Sequence, residues 1–467
     1  MKTRTSYFRI GIESIDLPGK EPMSMVGGSY LLQVAPEIYA GPAAYGALTG
    51  KRGGFFTGGG ELAWRKPLLT NLVLETGMYV GGGGGGTALV GGGLMLRPHV
   101  DLNWKFANKL SAGVSASQVR FPNGHIKSNQ LGLTLAFDDE FVYAAPQAIG
   151  RLVNTNRRGG VGFDRITLVA GSYRPDSGVR DLAGNTYANT IGYTGFRMEQ
   201  QLDRHWFWGI ESGAATKGGA DGYAEILGVL GAEYPVASER LKLGARLALG
   251  MGGGGKLSVG GGALAKAGLY AKAQLSEDIY VALEGGLVQA PNGGFKARYG
   301  TVQLGMDLDY PSFQTAQRTI RGTEWSASAQ HYLGAARYNG SRRSLDTMGL
   351  KIDRAISGPA YFSAQAHSAY AGEAGGFSVG LIGLGLRSAR TSSGLSAGLE
   401  VLAGAAGGGG VSTQGGAVAQ LMPYASLDLN QAASVKLGLG RVRSIKGALN
   451  STVLDMSLSF PFGVPGK

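Results

Sequence analysis

Histidine is the common side chain whose unperturbed titration falls near neutral pH, and this chain has five: His99, His125, His205, His331 and His367. None forms the H-x-x-x-H or H-E-x-x-H spacing that puts two ligands on one helix face. Asp101 lies two residues beyond His99 and would share its face of a strand. Such a pair can serve as a general base, but two solvated lumen residues account for it better, and no motif marks a serine nucleophile. Cysteine is absent, which excludes disulfides, thiol chemistry, thiolate-bound zinc and iron–sulfur clusters. The glycine runs Gly81–Gly86 and Gly252–Gly255 invite a phosphate-cradle reading. A phosphate loop needs a helix start with Lys-Ser or Lys-Thr behind it, and Gly255-Lys256-Leu257 fails that test. No catalytic residue, cofactor or metal is therefore assigned, and the chain reads as a non-enzyme.

Charge is the remaining signal. Arg9, Arg97, His99, Asp101, Lys105, Lys266, Lys272, Arg387 and Arg443 are assigned to the lumen of a barrel. Rings of cations in a pore select anions, so small anionic solutes are the partners this predicts. The competing reading pairs the cations with Glu13, Glu61 and Asp101 in an interior salt network. The formal charge is +12, from 44 Lys+Arg against 32 Asp+Glu. Its densest clusters, Arg157–Arg158 and Arg342–Arg343, are isolated pairs with no aromatic platform beside them, which argues against nucleic acid.

Strands must position these residues. Leu94 to Phe106 places Leu94, Leu96, Pro98, Val100, Leu102, Trp104 and Phe106 on one face. Met95, Arg97, His99, Asp101, Asn103 and Lys105 occupy the other. Such alternation is a β signature, and its length of about 13 residues exceeds the ~5–6 of globular strands. A tilted membrane-crossing strand needs ~9–11 residues. Phe8, Ile10 and Ile12 oppose Tyr7, Arg9 and Glu13 in the same way. So do Leu131, Leu133, Leu135 and Phe137 against Gly132, Thr134 and Ala136. Arginine is expected to be costly at Leu133, facing lipid, and better tolerated at Thr134, facing the lumen. No stretch is long and apolar enough for a membrane-spanning helix. The N-terminus MKTRTSYFRIGIESIDL lacks the apolar core of a signal peptide and enters a strand directly; an exported protein would then be a mature chain with a start Met added.

The strand pattern repeats. Val90-Gly91-Gly92-Gly93 maps onto Val259-Gly260-Gly261-Gly262, and the same offset carries Phe121-Pro122-Asn123-Gly124 onto Ala290-Pro291-Asn292-Gly293. More loosely, Gly53-Gly54-Phe55 maps onto Gly375-Gly376-Phe377. Three copies follow, at 5–141, 163–309 and 323–460, joined by linkers at 142–162 and 310–322. Each holds about eight strands whose short and longer, glycine-rich connections alternate, as in an up-and-down membrane barrel.

The ending TVLDMSLSFPFGVPGK, with an apolar residue at every second position up to Phe460 and Phe462, resembles the C-terminal strand of Gram-negative outer-membrane β-barrel proteins. Five residues follow Phe462, whereas most members of that class stop at the aromatic residue. The resemblance implies an outer-membrane location, with membrane lipid and the barrel assembly machinery as partners. The fold class is therefore all-β: an antiparallel, up-and-down transmembrane barrel of three tandem eight-strand repeats. Either one barrel of ~24 strands or three of eight fits the count. Linkers favour three; the abundant inward Gly and Ala, read as leaving the lumen empty, favour one, and one is the expectation taken. The functional expectation is a passive channel or structural barrel with mild anion preference. The alternative is a surface or soluble β-repeat module presenting glycine-rich loops to a partner.

Overall fold

The computed structural model describes residues 1–467, apart from the side chain of Ala237. The first repeat comprises β1 (Lys2–Leu17), β2 (Glu21–Ala35), β3 (Ile38–Ala47), β4 (Phe56–Leu69), β5 (Leu72–Gly84), β6 (Met95–Lys105), β7 (Leu110–Arg120) and β8 (Lys127–Tyr143). A short strand, β9 (Leu152–Thr155), lies in the first linker. The second repeat comprises β10 (Arg165–Pro175), β11 (Ile191–Gln201), β12 (Trp206–Lys217), β13 (Ala224–Ser238), β14 (Leu241–Gly253), β15 (Ala263–Gln274), β16 (Ile279–Gln289) and β17 (Lys296–Asp307). The third comprises β18 (Ala316–Ala336), β19 (Arg342–Ser357), β20 (Ala360–Ala371), β21 (Ser378–Arg387), β22 (Leu395–Gly407), β23 (Ala417–Asn430), β24 (Ala433–Ser444) and β25 (Asn450–Gly466). Within each repeat every neighbouring pair is antiparallel and follows chain order.

Three barrels form, not one. Each repeat closes on itself: Phe8 pairs with Phe137 across β1–β8, Leu168 with Leu304 across β10–β17, and Ala327 with Leu458 across β18–β25. The expectation of a single wide barrel fails because the inward glycines do not leave empty space. They sit directly opposite tyrosines in the sheet: Gly27 opposite Tyr45, Gly244 opposite Tyr270, Gly305 opposite Tyr280 and Gly385 opposite Tyr361. A Cβ at any of these four would overlap the ring. The glycine gives the ring room to lie on the wall, a cross-strand device that suits a tightly curved sheet.

The linkers are less plain than their sequence suggests. Within 142–162, β9 adds to the edge of β18, with Leu152 opposite Thr319 and Thr155 opposite Ala316. The second linker is already strand from Ala316. The residues beyond Phe462 extend β25 along this same start of β18, Val464 facing Arg321 and Gly466 facing Thr319.

Both chain termini and most short turns lie at one end of the barrels, here the turn end; the glycine-rich connections lie at the other, the loop end. The short β1–β2 turn at the loop end and the longer β21–β22 connection at the turn end are the exceptions in length. Alternation along each strand sorts side chains as the sequence predicts. Leu131, Leu133 and Leu135 are 78%, 63% and 46% exposed, while Thr134 and Ala136 between them are buried. Leu133→Arg should therefore impair membrane insertion, since a lipid-facing arginine near mid-depth costs ~2–4 kcal/mol. Thr134→Arg should fail as well, contrary to the sequence expectation, because Thr134 is buried against Asn103, to which it donates at 2.7 Å. The yield of heat-modifiable barrel for the two variants measures both effects.

The three barrels pack in a ring. The β3–β4 loop of the first barrel meets the β14–β15 loop of the second, with Gly53 N–H donating to Gly260 O at 2.9 Å. The β20–β21 loop of the third meets the β5–β6 loop of the first, with Gly375 N–H donating to Gly91 O at 3.1 Å. These are the same bond between equivalent loops. The β12–β13 loop of the second barrel meets the β22–β23 loop of the third, where a Cβ on Gly222 would crowd Gly408 and one on Gly407 would overlap Gly222. At each contact the third loop position of one barrel engages the fifth of the next. Such head-to-tail interfaces close into a ring when the rotation allows, and here it closes after three. Toward the turn end, Phe141 packs on Trp325 (5.3 Å between ring centroids) and on Phe462 (5.4 Å), joining first and third barrels.

Candidate functional site

Two places gather polar groups: the barrel interiors and the loop ring. In the first barrel the Arg9 guanidinium reaches Glu61 at 2.5 Å, Glu75, and Asp101 at 3.1 Å. His99 sits between Glu61 (Nε2 to Oε1, 3.1 Å) and Asp101 (Nδ1 to Oδ1, 3.2 Å). Further along the same inward face of β6, Arg97 grips Glu13 with two bonds of 2.9 and 2.8 Å, and the Ser117 hydroxyl donates to the same carboxylate at 2.7 Å. The planar guanidinium fork matches a carboxylate in this way. Lys105 lies at the turn-end rim, a third exposed, 3.1 Å from Asp138.

In the second barrel Lys266 bridges Glu211 at 2.5 Å and Glu225 at 3.0 Å. Lys272 gives two bonds of 2.7 Å to Glu233. Five buried cations, Arg165, Arg197, Arg246, Lys266 and Lys272, face five buried glutamates, Glu199, Glu211, Glu225, Glu233 and Glu284. In the third barrel Arg387 contacts Glu324 at 3.1 Å and Asp353 at 3.5 Å, with Lys436 on the same two carboxylates. Lys351 meets Asp455 at 2.8 Å.

Of the residues assigned to the lumen, Arg9, Arg97, His99, Asp101, Lys266 and Lys272 are thus interior and paired, and Lys105 and Arg387 are paired and partly exposed. Arg443 is the exception. It projects outward and is exposed, because Val442 and Ser444 take the inward positions of β24. Its assignment to the lumen is corrected by one step of strand parity. Glu75, Arg197, Glu211, Glu225, Glu233, Lys351 and Lys436 are interior as well, beyond the lumen residues expected from the sequence. Their signal was available as charges at inward parity on strands whose other face is leucine-rich.

Glu61, Glu75 and His99 place one ligand atom each within 4.8 Å of one another, close enough for a metal ion. Arg9 already supplies positive charge there, so a cation would have to displace it. His99 and Asp101 are 2% and 0% exposed and lie inside the first barrel.

The loop ring is built of backbone. A Cβ on Gly54 would overlap the amide of Gly254; one on Gly254, the carbonyl of Gly222; one on Gly222 would crowd Gly408. The cycle then runs from Gly408 to Gly376, from Gly376 to Gly85, and from Gly85 back to Gly54. Six glycines at equivalent places in three barrels thus touch in a closed circle around the pseudo-threefold axis. All six have positive φ, between 84° at Gly222 and 110° at Gly85. Among the described residues none of their six amide N–H groups has a hydrogen-bond acceptor.

No family model matches the chain, and no curated protein matches it. Among solved structures, Pseudomonas aeruginosa OccK11 (OpdR) is similar at 12% identity over 99% of this chain and 96% of the other, with a TM-score of 0.22. The siderophore receptor PirA from Pseudomonas aeruginosa is similar at 9% identity over 99% of this chain and 80% of the other, with a TM-score of 0.30. Acinetobacter baumannii OccAB3 gives 8% identity over 99% of both chains, with a TM-score of 0.23. Scores this low carry no functional weight.

Proposed function

We propose that this chain is an outer-membrane protein in which three sealed eight-stranded barrels form a non-catalytic scaffold that holds the glycine-rich loops together at one membrane face. Two features support the location: leucine-rich outward faces on strands of membrane-crossing length, and mostly short turns at one end opposite mostly longer loops at the other. The observation that carries the scaffold reading is the filled interior. Each barrel encloses carboxylates that match its cations, side by side with tyrosine rings, as small barrels do when side chains occupy the lumen.

A second reading, a passive channel with mild anion preference, draws on the loop ring. A path along the pseudo-threefold axis would pass six amide donors that have no acceptor in the protein. Such oriented N–H groups favour anions.

Planar-bilayer recording of the purified chain separates the two. The scaffold reading expects no stable conductance steps. Steady anion-selective current that changes with Gly54→Ala, but not when Arg97 and Glu13 are both replaced by Ser, would move the assignment to the axial channel. Current that responds to the Arg97/Glu13 pair instead would overturn the sealed-barrel reading.

A further inference from the structure

In no barrel do the buried cations outnumber the buried carboxylates, so the +12 formal charge is carried outside the barrels. Much of it collects on outward faces at the loop end of each repeat. In the first barrel Arg120 stands directly opposite Lys127 across β7–β8. In the second, Arg174 stands opposite Arg298 across β10–β17, with Lys296 on the same face of β17. In the third, Arg441 and Arg443 share the outward face of β24. All seven are exposed, and none has a carboxylate partner among the described residues.

Like charges directly opposite in a sheet repel and destabilise the pair. Two such pairs, on β7–β8 and β10–β17, and a third cluster on β24, all at the loop end, indicate a counter-charge supplied from outside the chain. What lies beneath them indicates its form. Down the same outward faces come Leu131 and Leu133 below Lys127, Val302 and Leu304 below Arg298, and Leu439 and Leu437 below Arg441, all exposed. Cation above and apolar row below is the order of an anionic amphiphile lying along the wall. A free anion would make no use of the leucines.

We propose that these three clusters are seats for the phosphate groups of an anionic membrane lipid whose acyl chains lie on the leucines beneath. The inference rests on the outer-membrane reading, with the loop end at the level of the lipid headgroups.

Native mass spectrometry of the full chain in neutral detergent, offered phosphatidylglycerol or phosphatidylcholine, tests it. Each cation near a charged lipid surface contributes enough that a two-cation seat should favour the anionic lipid at least about tenfold. Phosphatidylglycerol should be retained at up to three seats. R120Q/K127Q should remove one, and adding R174Q/R298Q and R441Q/R443Q should remove all. Neutralising six turn-end cations, Lys2, Lys66, Lys109, Arg151, Arg204 and Arg240, should leave the preference intact. The proposal is overturned if the six loop-end substitutions leave the preference unchanged, if the turn-end set lowers it equally, or if inorganic phosphate displaces the lipid at equal concentration. A chain that requires detergent yet shows no lipid preference sinks the seats alone. A chain that is monodisperse without detergent sinks the outer-membrane reading and the seats with it.

Discussion

Arg9→Met should leave the first barrel unable to fold while the second and third still close. Arg9 is buried and touches three carboxylates, Glu61, Glu75 and Asp101, of which His99 shares only two. Breaking a buried pair by removing one partner costs ~3–5 kcal/mol, because the other charge stays behind unpaired. Here three carboxylates lose that partner and keep only His99, shared between Glu61 and Asp101, and Arg65, 3.8 Å from Glu75. The loss therefore approaches the lower end of the ~5–15 kcal/mol that a whole domain has to spare. A methionine of similar length keeps the volume, so the effect reads charge rather than cavity. Adding Glu61→Gln and Glu75→Gln to Arg9→Met should recover folding, since the one carboxylate then left facing the substituted side chain is Asp101, which keeps His99. The readout is proteolysis of the first repeat alongside the heat-dependent gel shift. If Arg9→Met folds as well as the parent chain, the ion pairs are not what holds this interior.

Gly54→Val should leave all three barrels closed but open the ring between them. The residue has φ of +89°, which costs a residue with a Cβ roughly 1–2 kcal/mol, and the new side chain would overlap the Gly254 amide. Overpacking adds typically ~1–3 kcal/mol. Trypsin cleavage after Lys51 or Arg52, in the same loop, should then rise by more than about tenfold, since ~1.4 kcal/mol is a factor of ten. Gly19→Val is the control: its φ is +82°, but nothing lies within 4 Å of the added Cβ. Equal sensitivity of the two variants would mean that the ring contacts add nothing.

Much of this was legible because a two-residue period survives noise. Leu94 to Phe106 sorts between the two faces as the alternation predicts, and each repeat holds the eight strands expected of it. The matched triplets were informative beyond their role as repeat markers. Gly53 with Gly375, and Gly91 with Gly260, turn out to be the two ends of the same inter-barrel hydrogen bond. Barrel closure was not legible, because alternation gives the face of each strand and says nothing of which strand ends the sheet. Inward glycine reads as vacancy in the sequence, whereas its cross-strand partner is tyrosine, a pairing that only the strand register shows. Arg443 was lost to a single step of parity near a strand end. The outward cations look dispersed in sequence, since Arg120 and Lys127 meet only in the β7–β8 register and Arg174 and Arg298 only once the second sheet closes.

The closed ring of loops also bears on how the three repeats can differ. Three separate copies around an axis would carry one sequence, so any residue placed at one contact would appear at all of them. A single chain is free of that constraint. Where the first and third barrels have Gly53 and Gly375, the second has Asp221, whose carboxylate accepts a hydrogen bond from Tyr338 of the third barrel. Within the loop ring, one junction is thus hydrogen-bonded through side chains and two through backbone. The ring has a distinguishable seam, and a change at Asp221 would be felt at that junction without being copied to the other two.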